Sequence, residues 1–180
     1  MKTKNIIIAV SMILLIFLVG CTAQQTKTEV KKVTTAKDLI PSKEEMGATT
    51  ELNCTNEVYN TTEFSPLAEN TLCMFNINNS EFYLEIKKFS NQNDLNGSYG
   101  YNSAHLFGGK GFLNHTTYGD QSRLHVNAGD DYGAEFDPKG VSYYHLWFTK
   151  DLYLVHVTSK GVESDRASIE NIGHLVLAKI

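Results

Sequence analysis

The chain has 180 residues, 42% of them hydrophobic and 11% aromatic, with 16 Lys and Arg against 20 Asp and Glu and a formal charge of −4. This composition suits one globular domain and excludes a disordered or collagen-like chain. Without Lys2 and Lys4, the only charges in the first twenty residues, 14 basic and 20 acidic side chains remain, and no basic stripe offers itself to nucleic acid or anionic lipid.

Lys2 and Lys4 precede an apolar run from Asn5 to Val19, the form of a secretory signal. The run is short for a spanning helix, which needs about 20 apolar residues. It ends in Leu18-Val19-Gly20-Cys21, which resembles the lipobox of prokaryotic lipoproteins. The resemblance implies cleavage after residue 20 and lipidation of Cys21. It also implies export and attachment to the outer face of the cytoplasmic membrane, or to an outer membrane where the host has one. The alternative is an uncleaved anchor that ends at Cys21. From 22 to about 50 the chain is polar, with five Lys against four acids, and Pro41-Ser42 interrupts any helix begun by Lys37-Asp-Leu39. The expected plan is a signal at 1–20, a lipidated Cys and tether at 21–50, and a single domain at 51–180.

In an exported protein Cys54 and Cys73 read as a disulfide. It closes a loop of roughly 20 residues, worth about 3 kcal/mol by chain entropy, around a polar segment, Thr55 to Leu72. A reactive or metal-binding pair is disfavoured, since neither Cys lies in a CxxC or beside a His in sequence. Five Asn-x-Ser/Thr sites, at Asn53, Asn60, Asn78, Asn96 and Asn114, read equally as glycosylation acceptors or as ordinary polar loops.

Cys73 to Ile77 and Glu81 to Phe89 flank Asn78-Asn79-Ser80 as a hairpin, with Phe82, Leu84 and Ile86 on the buried face. Ser90 to Asp94 has capping chemistry for a short helix carrying Leu95 and Tyr99. Gly108 to Gly111 is a loop and not a phosphate loop. A strand follows around Arg123 to Asn127, then an acidic turn region at 129–140. Val141 to Thr149 and Leu152 to Thr158 form the strongest hairpin. With Lys150-Asp151 as the turn, Trp147 faces Leu154 and His145 faces His156. Tyr144, Leu146, Phe148, Tyr153, Val155 and Val157 then share an apolar face, and Tyr143, His145, Trp147, Leu154, His156 and Thr158 the other. Ser164 caps a terminal helix with Asp165 in its first turn, Lys179 in its last, and Ile169, Ile172, Val176 and Ile180 on one stripe.

The fold class is therefore α+β, an antiparallel sheet packed by a C-terminal helix and a shorter one. Phe82 to Phe89 followed by Ser90 and a helix, Gly119-Asp120 before a strand, and Leu152 to Val157 before the terminal helix resemble the Mog1/PsbP-like α/β/α domains of exported lipoproteins. The likeness spans residues 72 to 180 and implies a sandwich that serves as a binding or accessory module.

Six His are scattered without an HExxH motif. Opposed His145 and His156 can supply two ligands to Zn or Cu, with His125 as a third; the plainer reading is a pair of half-buried imidazoles bonded to Tyr143 or Thr158. Asp130, Asp131, Glu135 and Asp137 cluster without the spacing of a calcium loop. No GxSxG or SxxK is present, and Asp120, Ser122 and His125 lie too close together on one strand for a triad. The expectation is a membrane-tethered module that needs no cofactor and binds a protein or small molecule at the face of Tyr143, His145, Trp147 and His156. The alternative is a metal-dependent or other hydrolase using the same His face.

Overall fold

Alternating apolar residues between 142 and 161 dictate the centre of the fold. In the computed structural model, which describes residues 34–60, 67–105, 111–128 and 140–180, they form strands β6 (Ser142–Lys150) and β7 (Tyr153–Gly161). The other strands are β1 (Asn53–Val58), β2 (Leu67–Ile77), β3 (Ser80–Phe89), β4 (Phe112–Leu113) and β5 (Gln121–Ala128). All seven make one antiparallel sheet in the order β1-β2-β3-β7-β6-β5-β4. Helices α1 (Lys43–Met46), α2 (Gln92–His105) and α3 (Asp165–Leu177) and a 3-10 turn at Lys37–Leu39 complete the described residues. The class is α+β, as expected. The internal helix, at 14 residues, is not the shorter of the two main helices, since α3 has 13.

The central turn lies one residue later than expected. Asp151 takes a φ of 52°, a conformation that Asp tolerates better than most residues, and Lys150 pairs with Tyr153. The register moves by two: Trp147 faces His156 and His145 faces Thr158. A shift of two leaves every side chain on its own face. Tyr144, Leu146, Phe148, Tyr153, Val155 and Val157 are accordingly all buried in the main core, with Phe75, Phe82, Leu84 and Ile86 of the neighbouring strands.

Helix α3 seals this core with Ile169, Ile172 and Val176. Gly173 sits between them because a Cβ there would lie 2.5 Å from a methyl of Leu146, so a larger residue would push the helix off the sheet. Ser164 stands at the N-cap position but makes no capping bond; the Asp165 carboxylate instead accepts the Val162 N–H at 2.9 Å. The helix stops at Leu177, which leaves Lys179 beyond the last turn, where it pairs with Glu45 at 3.4 Å.

Residues 34 to 50 belong to the domain and not to a tether. Ala36, Leu39 and Met46 are buried in the main core. The Tyr153 hydroxyl and the Lys88 ammonium donate to the Thr34 carbonyl at 2.5 and 3.0 Å, and Glu69 accepts the Ala36 N–H at 2.6 Å. Ser42 and Glu45 form a capping box at the start of α1, and Gly47 closes the helix in the left-handed conformation. Three apolar residues suffice here because they enter a core that the sheet and α3 already supply.

The segment from Thr55 to Leu72 is likewise no plain loop. Its two ends are strands, β1 and the first half of β2, and Cys54 lies directly opposite Cys73, to which it is bonded. Every residue of β1 is exposed, so the strand is held by its ladder to β2 and by the disulfide.

Replacing both Cys54 and Cys73 by Ser should lower stability by about 3 kcal/mol, or the melting temperature by roughly 10 °C, with the sheet signal in circular dichroism kept. Leu39→Ala should cost about 2–5 kcal/mol in urea unfolding, whereas a residue in a solvated tether would give no change.

Candidate functional site

Among the described residues, the face of the sheet opposite α3 is only partly covered. Asn91, just before helix α2, accepts the Asp94 N–H on its side chain at 3.0 Å. Its Leu95 and Tyr99 close over Phe89, Trp147 and Leu154. Beyond this small second core the same face carries Tyr143, His145, His156 and Thr158, all half-buried. They are flanked on β3 by Tyr83, Glu85 and Lys87 and on β5 by Arg123, His125 and Asn127.

The two histidines meet, by a diagonal contact and not by direct opposition. His145 Nδ1 lies 3.1 Å from His156 Nε2. The Thr158 hydroxyl lies 2.7 Å from that His156 nitrogen and 3.4 Å from that of His145. Trp147 stacks flat on His156, with ring centres 3.4 Å apart and planes 7° from parallel. Glu85, opposite His156 in the register, is paired with Lys87 at 2.9 Å. Lys160 lies 5.6 Å over the Tyr143 ring.

Electrostatics keep both imidazoles neutral. Burial, and then the neighbouring His125, push His145 down to about 4. Burial, followed by His145 and Lys87, holds His156 well below the ordinary imidazole range. Neutral imidazole is both a hydrogen-bonding group and a metal ligand.

His125 does not become a third ligand. It is opposite His145, buried, with its ring edge-on to Phe112 at 5.1 Å. Among the described residues no three His, Cys, Asp or Glu side chains are grouped to hold a metal ion. Asp120, Ser122 and His125 are not brought together either: Asp120 takes Lys150 at 3.0 Å and the Asp151 N–H at 3.2 Å. Ser122 bonds to His115 Nε2 at 3.0 Å while His115 Nδ1 contacts the Leu113 carbonyl at 3.1 Å.

The His115–Ser122 pair was not legible in the sequence. The chain reverses between them through Gly119, at φ 54°, where a Cβ would lie 2.1 Å from the Thr149 carbonyl oxygen. Ser122 also accepts the Tyr118 N–H at 3.0 Å, so its hydroxyl ties down that reversal. A mostly apolar cleft of about 410 Å³ opens nearby, between Ala104, Phe112, Leu113, His115, Arg123 and Leu124.

The five sequon asparagines, Asn53, Asn60, Asn78, Asn96 and Asn114, are all exposed. Cys21, the expected signal at 1–20 and the acidic residues Asp130, Asp131, Glu135 and Asp137 lie outside the described residues. No helix among the described residues is long and apolar enough to cross a membrane. In comparisons with known proteins, no family model matches the chain and no curated protein matches it as a relative.

Stability should report the neutral state of the pair. An unfolded imidazole takes up its proton near 6.5, whereas folded His145 does so only near 4, so between these values the unfolded chain binds more protons. Stability is therefore full above about pH 7 and falls as the pH drops through this window, by on the order of 3 kcal/mol from His145. Urea unfolding at steps from pH 7.5 to 4, in a chelating buffer, checks this; His145→Gln with His156→Gln should flatten the slope.

Proposed function

We propose that this protein is an exported lipoprotein, anchored through Cys21, whose domain is a binding or accessory module working through the sheet face of Tyr143, His145 and His156, behind which the expected fourth member, Trp147, is buried under α2. The observation that carries this reading is the partial exposure of Tyr143, His145 and His156 on that face. Helix α2 closes over Trp147 and Leu154 and leaves Tyr143, His145, His156 and Thr158 half-buried. Rings with a polar edge and an apolar body are what a protein surface uses to hold a partner or a small ligand.

Three further features support the reading. The Leu18-Val19-Gly20-Cys21 run resembles a lipobox. The Cys54–Cys73 disulfide suits an oxidising compartment outside the cytoplasm. A seven-stranded antiparallel sheet with α3 on one face and α2 on the other agrees with the Mog1/PsbP-like likeness, whose members mostly serve as binding or accessory factors. Fold alone does not fix function, so the weight rests on the face.

Mass spectrometry of the full chain extracted from its own membrane tests both halves. The denatured protein should lack residues 1–20 and carry acyl mass on Cys21, and Cys21→Ser should move the chain to the soluble fraction. Under native conditions a bound species should add mass that Tyr143→Ala removes. A mature chain that still begins at Met1 would overturn the anchor, and identical native and denatured masses would overturn the binding face.

A further inference from the structure

We infer that His145 and His156, with the Thr158 hydroxyl beside them, chelate one late divalent transition-metal ion, Cu(II) most tightly. This names a ligand for the face proposed above and rests on that face being a binding surface, but not on the lipid anchor.

The geometry carries the inference. His145 Nδ1 and His156 Nε2 are 3.1 Å apart and belong to different strands, so each is aimed by its own backbone. With metal–nitrogen distances of about 2.0–2.1 Å, two nitrogens at that spacing subtend about 98° at a shared ion, between the square-planar and tetrahedral angles; the rings, 14° from parallel with centres 5.3 Å apart, now point these nitrogens nearly at each other and each turns towards the ion on binding. The hydroxyl of Thr158, 2.7 and 3.4 Å from the same two nitrogens, borders the position the ion would take.

Without an ion, one ring donates N–H to the other. On binding, the donating ring's single proton moves by way of solvent from the converging nitrogen to that ring's other nitrogen and the ion takes the vacated position, so no proton is lost and both imidazoles stay neutral. Burial already holds both rings in the neutral form a metal requires.

The donor set selects the ion. Among the described residues the site offers two imidazoles, and Glu85, the carboxylate opposite His156, is paired with Lys87 at 2.9 Å; this disfavours Ca and Mg, which need oxygen ligands. A structural Zn site takes four protein ligands, more than this pair supplies. Cu(II) accepts two imidazoles with water completing its plane and stands at the top of the divalent affinity order.

Trp147 is the only Trp in the chain and lies against His156 with ring centres 3.4 Å apart, so its fluorescence reports this site alone. Titration of the untagged full chain in detergent with Cu(II) chloride should remove most of that emission saturably, at one equivalent. Ni(II) and Zn(II) should compete more weakly. His145→Asn and His156→Asn should each weaken binding at least tenfold, and His115→Asn should leave it unchanged.

Absence of saturable quenching, or quenching unaltered in His156→Asn, would overturn the inference. Should the His variants fail to fold, electron paramagnetic resonance of the Cu(II)-loaded natural chain decides: coupling to two imidazole nitrogens is expected, and its absence refutes the site. If Cu(II) does not bind while native mass spectrometry still finds a species that Tyr143→Ala removes, the binding face stands and the ion falls.

Discussion

Burial of Tyr144, Leu146 and Phe148 against Tyr153, Val155 and Val157 is the constraint on which the remaining structure depends. Each such side chain contributes about 1.5–3 kcal/mol when removed from water, and six on one face of a two-stranded unit demand a cover. Helix α3 supplies much of it, together with the segment carrying Ala36, Leu39 and Met46 and with Tyr118, which lies against Phe148. Because side chains alternate along a strand, fixing this face also fixes the other. Trp147, His145 and His156 share the second face as a consequence of where Leu146 and Val155 must go. A register slip of one residue would drive the imidazoles into the core and expose the apolar set.

Much of this was legible because the information is local. Alternation over Phe82 to Ile86 and over Tyr144 to Val157 gave the central strands and their buried faces, and Ile169, Ile172 and Val176 gave the terminal helix. Leu95 and Tyr99 marked the internal helix despite Gly97 and Gly100, since both face Trp147 and Leu154. What escaped was held by long-range contacts. Strand β1 has no buried side chain to reveal it. Residues 34 to 50 look solvated until Tyr153, Lys88 and Glu69 are seen to grip Thr34 and Ala36.

The site was legible as a set of residues but not as a geometry. Strand parity placed His145 and His156 on one face whatever the turn, so the grouping survived the two-residue shift. Their contact did not follow from parity. It depends on Asp151 adopting a positive φ, which makes the pair diagonal and sets Trp147 directly across from His156. Nor does sequence spacing disclose which nitrogens converge; that is fixed by ring rotation, which the stacked indole and the Thr158 hydroxyl settle. His125 shows the converse, a residue brought beside the pair in register yet turned to Phe112.

The bond between Cys54 and Cys73 has a further consequence for how such a surface can change over time. An edge strand is ordinarily kept in place by what its side chains bury, and that requirement restricts which residues it accepts. In β1 a covalent link to the adjacent strand takes over much of the task, and all six residues face solvent. Apart from Cys54 and Asn56, whose side-chain oxygen accepts the buried Thr71 hydroxyl, the positions are thereby released from packing and free to drift in charge, in polarity or in sequon content such as that at Asn53. The edge is where descendants of this chain would diverge first, while the sheet centre, answerable to Leu146 and Val155, would keep its pattern.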